Sequence, residues 1–358
     1  MIHFLDINDF KCLHDIHMEL SKLNIITGKS SSGKSSVIQA IGIMSDNKDI
    51  PNDAQVTFRN LDNSVRPFYE MCNLNAGVQS FSLSLDMDES HHIKMDFTPK
   101  DERRIATLVS KTETKLLDDH SEFPEVFHLP ANRQSNEDSY KISNGSPNPL
   151  GKHGEFVIDY YYNHRSDEVD PCLRISKDSS SLEAQVNGWL RKLTDYRMTV
   201  SQPSDSYNVF FTDNLGNKMR PSQVGTGVGY IAALLIVCLA SPQESLIQIE
   251  NPEIHLHPSA QSDLTEFFAI ISHSGRQLLI ETHSDHIING ILVQLKEAAL
   301  HLEDVRIFYF DKDDEAEEDE IPNCYIPRSL EITPYGKIKH APKGFFDQIE
   351  IDFRKLME

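Results

Sequence analysis

The chain has 358 residues, which at about 150 residues per domain suits two domains or one enlarged α/β domain. Its 34 Lys and Arg stand against 55 Asp and Glu, a formal net charge of −21 that repels phosphate backbones over most of the surface and argues against general nucleic-acid coating. Hydrophobic residues at 39% and charged residues at 25% exclude a disordered chain, and the longest strongly apolar run, 230–240, is far short of the roughly 20 residues that span a bilayer.

The first residues, IHFLDINDF, alternate apolar and polar positions and predict a strand rather than a signal peptide. After a polar break, LNIIT at 23–27 predicts a second strand ending at Gly28, and SSVIQAIGIM at 35–44 has the spacing of a helix. Within 50–130, FSLSLDM and HIKMDF alternate as half-buried strands do, which predicts an antiparallel flap. Residues 131–154 read as a loop, 181–193 as an amphipathic helix carrying Trp189, and YNVFFTD with the turn at 214–216 as a hairpin. A glycine-rich stretch then leads into a helix ending near Ala240. LIQIE at 246–250 and QLLIET at 277–282 are short buried strands with a helix through LTEFFAII between them. VRIFYF and NCYI are two further strands, and the acidic run at 311–320 between them is a solvated loop. Five cysteines, Cys12, Cys72, Cys172, Cys238 and Cys324, have no C-x2-C spacing, which fits a reducing cytoplasm.

One motif carries most of the chemistry. Gly28, Lys29, Ser30, Ser31, Ser32, Gly33, Lys34, Ser35 and Ser36 satisfy G-x-x-x-x-G-K-[ST] between an apolar strand and a helix. In such a loop backbone N–H groups curl around a β-phosphate, Lys34 bridges the β- and γ-phosphates, and the Ser35 hydroxyl ligates magnesium. Glu250, at the end of LIQIE, is the acid expected to hold that magnesium partly through water. Glu253 either polarises the attacking water as general base or caps the following helix. His283, after QLLIET, is placed to hydrogen-bond the γ-phosphate.

These pieces in order, DFKCL, GKSSSGKSS, QVGTGVG, IENPEIHLHP and ETHSDH, resemble the ABC-class ATPases of the RecF, OLD and SMC-like group. They are most similar to the compact bacterial ATPases called AAA15-like, whose terminal domain the tail ITPYGKIKHAPKGFFDQ also resembles. The resemblance implies an α/β P-loop NTPase, an ABC-type head with a mostly parallel core sheet, an antiparallel β flap and a small C-terminal β-containing cap. It implies a head over 1–300, with its core from 1–48 and 219–300 and an inserted flap and helical region at about 50–218, followed by a small domain at 301–358. ATP and Mg2+ are the implied cofactors, and a homodimer is the implied assembly, because in this class a glycine-rich signature touches the γ-phosphate of the facing head.

Gln223, Gly225 and Gly227 lie in QVGTGVG, which resembles a degenerate signature and is otherwise a glycine turn packed tightly against a neighbour. His255, Leu256, His257 and Pro258 lie in a segment that the resemblance assigns to the dimer interface, with a zinc site at the two histidines as the competing reading. Arg133 in ANRQ reaches a phosphate or partner, or serves in a structural ion pair. Asn251 stands where many of these ATPases carry the catalytic glutamate. Either Glu253 replaces it or turnover is slow.

Three functions follow as expectations. The first is a cytoplasmic, dimerising ATPase that switches a protein effector, a nuclease or toxin, in bacterial antiphage defence. The second is a RecF- or SMC-like DNA-repair ATPase, opposed by the net charge and the lack of a long heptad run. The third is an OLD-like ATP-regulated nuclease using Asp311 and Asp313 as a metal pair.

Overall fold

The computed structural model describes residues 1–51, 54–56, 68–87, 91–99, 107–115, 122–146, 148–312, 325–342 and 344–357. The chain forms two compact units, the first of Ile2–Phe123 with His283–Glu358 and the second of Met1 with Pro124–Thr282.

At the N-terminus β1 (Phe4–Asn8) and β2 (Ile16–Glu19) alternate buried and more exposed residues and pair antiparallel. β2 lies in the stretch read from sequence as a polar break: His17 and Glu19 point to solvent, and four residues are too few for the alternation to stand out. β3 (Leu23–Gly28) is buried at every position before Gly28 and leads through the glycine loop into α1 (Lys34–Asp46), whose Val37, Ile38, Ile41 and Met44 are buried. β4 (Ala54–Gln55), β5 (Phe81–Met87), β6 (His91–Pro99) and β7 (Thr107–Lys115) complete an antiparallel sheet of order β2-β1-β5-β6-β7-β4. The expected flap is therefore built partly from the N-terminal hairpin. Its core is aromatic: Phe81 stacks on Phe97 at 4.6 Å and on Phe68 at 5.6 Å, with Phe10 tilted against it at 5.1 Å.

The second unit begins with β8 (Val126–Leu129) and β9 (Ser139–Lys141), the latter inside the predicted loop. Then come α2 (Val157–His164), α3 (Leu182–Thr194), β10 (Arg197–Ser201), β11 (Ser206–Thr212) and β12 (Lys218–Met219). The antiparallel strands β9, β10 and β12 all pair with β11. α3 starts where Ser181 accepts a hydrogen bond from the Ala184 N–H, and it buries Trp189 edge-on against Phe267 at 4.9 Å. α4 (Thr226–Ala240) is buried at nearly every position from Gly227 to Leu239 and packs on α2 and α3. β13 (Leu246–Glu250), α5 (Pro258–Ser272) and β14 (Gln277–Glu281) follow, and β8, β13 and β14 run parallel; β13 up to Ile249 and all of β14 are buried as two-sided strands require, while β8 alternates half-buried and buried residues.

One close approach seats α4. A Cβ on Gly229 would lie 1.9 Å from the Ser135 carbonyl oxygen, so the helix rests directly on that backbone. Gly229→Ala is expected to destabilise the protein by about 1–3 kcal/mol or more through overpacking, read as a lower urea midpoint at unchanged slope.

Returning to the first unit, α6 (Asp285–Lys296) is capped by Ser284, whose hydroxyl accepts from the His286 and Ile287 N–H groups. β15 (Val305–Lys312) lies parallel to β3, with Phe310 opposite Gly28, and β16 (Tyr325–Ser329) returns antiparallel to it. The segment after residue 300 thus opens with a strand that flanks the glycine-loop strand. α7 (Gln348–Met357) ends the chain. Most of the acidic run, with Asp313 and Cys324, lies outside the described residues. No helix among the described residues is long and apolar enough to cross a membrane.

Candidate nucleotide-binding site

The glycine loop follows from two steric demands. At Gly28, with φ +140°, a Cβ would sit 2.4 Å from the Phe310 carbonyl oxygen. At Gly33, with φ +99°, it would sit 2.5 Å from Leu13 Cδ2. Between them Lys29, Ser30 and Ser31 form an exposed rim and Ser32 is buried. Lys34 is only 3% exposed, and its ammonium donates to the carbonyls of Gly28 (3.1 Å) and Lys29 (2.6 Å), with the Ser32 hydroxyl at 3.5 Å. The loop is curled round its own lysine. α1 begins at that residue without a side-chain cap or an acid in its first turn, leaving its leading N–H groups for an anion. Ser35 is half-buried and Ser36 buried in the same turn. His283 lines one cleft with Thr27, Gly28 and Lys29, so the predicted histidine does stand beside the loop. Asp311, half of the suggested metal pair, instead faces Lys29 at 3.6 Å.

The acids belong to the other unit. Glu250 ends β13, and both its carboxylate oxygens are engaged: Oε1 with His128 Nε2 at 3.0 Å and Oε2 with the Ala131 N–H at 3.2 Å. Burial by itself would raise its pKa, but the His128 hydrogen bond and charge, the Ala131 N–H and Arg133 outweigh it and hold the carboxyl below its usual range. A His128→Ala variant is expected to raise that pKa, read by NMR titration of the Glu250 carboxyl. His128 belongs to no sequence motif; its one signal is a histidine within the alternating strand VFHL.

Asn251 has φ +45°, a left-handed conformation that asparagine tolerates better than glutamate, and its N–H donates to the Glu281 carbonyl at 2.8 Å. The turn it makes brings Glu253 to β14, where the Thr282 hydroxyl donates to Glu253 Oε2 at 2.8 Å. Glu253 does not cap α5. That position is held by His257, whose Nδ1 accepts from the Ser259 N–H at 3.3 Å, with Pro258 in the first turn.

Arg133 is buried and bonded to backbone. It is 3% exposed, Nη1 donates to the carbonyls of Pro130 (3.1 Å) and Glu250 (2.9 Å), and its guanidinium lies 4.5 Å from the Tyr230 ring centre. Burial lowers its pKa to about 10, with Tyr230, Glu253 and Glu250 acting in the opposite sense, so it stays charged at neutral pH. Tyr230 in turn meets His255 edge-on at 5.3 Å. In the glycine-rich stretch, Gln223 turns its side chain back to accept from the Arg220 N–H at 2.9 Å. Gly225 is open at the start of α4, whereas a Cβ on Gly227 would meet the His255 carbonyl oxygen at 2.6 Å. Gly227 is therefore a packing glycine, and Gly225 is the one with free space before it.

A strand, a curled glycine-lysine loop, a helix and parallel acid-bearing strands are the parts of a P-loop ATPase. The family described as "AAA domain, putative AbiEii toxin, Type IV TA system" matches residues 23–289. The chain belongs to this family. A second one, described as "Protein of unknown function (DUF3696)", matches residues 300–356 of this AAA-domain ATPase. No curated protein matches the sequence. Among solved structures, an Smc head bound to the C-winged helix domain of ScpA is similar with a TM-score of 0.55 at 12% identity, over 92% of this chain and 98% of that one. The Smc head domain with an extended coiled coil bound to the C-terminal domain of ScpA, from Pyrococcus furiosus, also has a TM-score of 0.55, at 11% identity over 100% and 99%. The fold of this family member is thus that of the Smc heads.

Proposed function

We propose that the chain is a magnesium-dependent ATP hydrolase whose heads pair face to face, and whose closure switches an associated effector, a nuclease or toxin, in a bacterial antiphage defence system. The observation that carries the hydrolase reading is the buried Lys34 ammonium held on the Gly28 and Lys29 carbonyls within a loop whose glycines admit no side chain. Such a cradle fits a triphosphate, and Ser35 with Glu250, the latter through water, would hold magnesium. Bound there, magnesium supplies charge neutralisation at the β- and γ-oxygens. Residues 28–36 bind and orient the phosphates, His283 hydrogen-bonds the γ-phosphate, and Glu253 takes the proton of the attacking water. Glu250 suits the metal role better than the base role, because its two oxygens already accept hydrogen bonds and its pKa is held low.

Pairing would bring Gln223, Gly225 and the start of α4 to the facing nucleotide, and the open space at Gly225 supports this more than it does for Gly227. An effector is supported by family membership and by the Smc heads that bind ScpA. Phosphate release from the purified chain with Mg–ATP tests the hydrolase, and sedimentation with a non-hydrolysable analogue tests the pairing. The Smc-head fold also favours a DNA-repair reading, for which salt-dependent binding to duplex DNA is the test.

A further inference from the structure

The cleft beside the P-loop, about 140 Å³ in volume, is walled partly by the segment matched to the family of unknown function: Tyr309, Gly344 and Phe346 line it with Thr27, Gly28, Lys29 and His283. Tyr309 is 2% exposed, yet among the described residues its hydroxyl has no hydrogen-bond partner. A buried donor left without an acceptor on the wall of a cleft is a position that an incoming acceptor would satisfy. Gly344 keeps that space open. Its φ is +87°, and a Cβ there would lie 3.2 Å from Tyr309 Oη and 3.9 Å from Lys29 Cε. The wall is braced by Phe345, edge-on to Tyr309 at 5.5 Å, and by the Gly344 N–H donating to Asp347 Oδ2 at 2.9 Å. Burial, then the charges of Asp311 and Asp347, raises the Tyr309 pKa, so the hydroxyl remains a donor. The Lys29 ammonium is 62% exposed and sits 3.6 Å from Asp311, a loose pairing that an incoming anion can replace.

We propose that this cleft is a subsite for the terminal phosphoryl group of the nucleotide held by the P-loop, with the Tyr309 hydroxyl and the Lys29 ammonium as donors, so that the C-terminal segment distinguishes triphosphate from diphosphate. The proposal rests on the P-loop reading above. Free phosphate offers the same oxygens, but Asp311 and Asp347 oppose an unanchored anion, which makes the loop-held phosphoryl the better occupant.

The test uses the full chain and calorimetric titration with ADP, a non-hydrolysable ATP analogue and inorganic phosphate. Hydrogen exchange over residues 344–357 is followed under the same conditions. Tyr309→Phe, which removes one oxygen and keeps the ring, is expected to weaken the analogue by about tenfold and leave ADP unchanged. Exchange at 344–357 is expected to slow with the analogue and not with ADP. Equal weakening of both nucleotides, or equal protection by both, would overturn the subsite. Protection by inorganic phosphate alone would overturn the anchored source. Absence of any nucleotide binding would remove the P-loop reading and the subsite with it, a result distinct from the others.

Discussion

Lys34→Ala is expected to lower kcat for ATP hydrolysis by about 10²–10³-fold and to weaken nucleotide binding, while leaving the nucleotide-free fold intact. The ammonium is the buried positive charge of the glycine loop, 3% exposed and held on the Gly28 and Lys29 carbonyls. Phosphates entering the loop would exchange those neutral acceptors for charged ones, a gain that is larger in a site shielded from water. With alanine the α1 N–H groups remain, so residual binding should persist, while the charge that grows on the β,γ-bridging oxygen during cleavage loses its counter-charge. Parallel measurements of phosphate release, analogue affinity and circular dichroism separate the three effects. Wild-type turnover in the variant would remove the loop from catalysis.

Glu253→Gln is expected to reduce kcat by about 10²–10⁴-fold with little change in KM, the loss of a general base whose shape and hydrogen bond are preserved. Glutamine can still accept from the Thr282 hydroxyl, which donates to Glu253 Oε2 at 2.8 Å, so the turn should hold. Glu250→Gln should behave differently. Its carboxylate accepts from His128 and from the Ala131 N–H, and the neutral amide both weakens those contacts and loses the charge expected to hold magnesium, so the variant should require more magnesium for half-maximal rate. Asn251 cannot substitute as base. It has no proton affinity suited to the task, and its left-handed backbone turns the chain toward Glu253. Unchanged kcat in Glu253→Gln would move the base elsewhere in the protein.

The elements legible in the sequence are those in which local pattern and burial agree. β3, β13 and β14 are short apolar runs, and the glycine spacing between β3 and α1 admits one conformation of the loop. Elements with a weak local signal were not legible. α2 is VIDYYYNH, rich in residues that prefer strands, and it is helical where Val157, Ile158 and Tyr161 are buried and the helix packs on α4. α6 contains Gly290, which lowers intrinsic helicity, and β10 is five residues whose alternation becomes decisive only when paired with β11. At the site, His128 and Arg133 act on Glu250 from more than a hundred residues away, and neither belongs to a motif of fixed spacing. The acceptors of Arg133 are two backbone carbonyls, which no sequence pattern encodes.

By itself the sequence determined an α/β chain of a P-loop ATPase family with a glycine loop between strand and helix, because glycine spacing, an apolar strand and a helix start are local properties of adjacent residues. Tertiary structure alone decided which side chains are spent on structure and which are left for chemistry. Glu250 is held below its usual pKa because His128 and the Ala131 N–H reach it, Gly227 is a packing residue because His255 lies against it, and the Tyr309 hydroxyl lacks a partner among the described residues where Gly344 brings no side chain. Each of these depends on burial and on partners brought from distant parts of the chain, and both arise only when the chain folds.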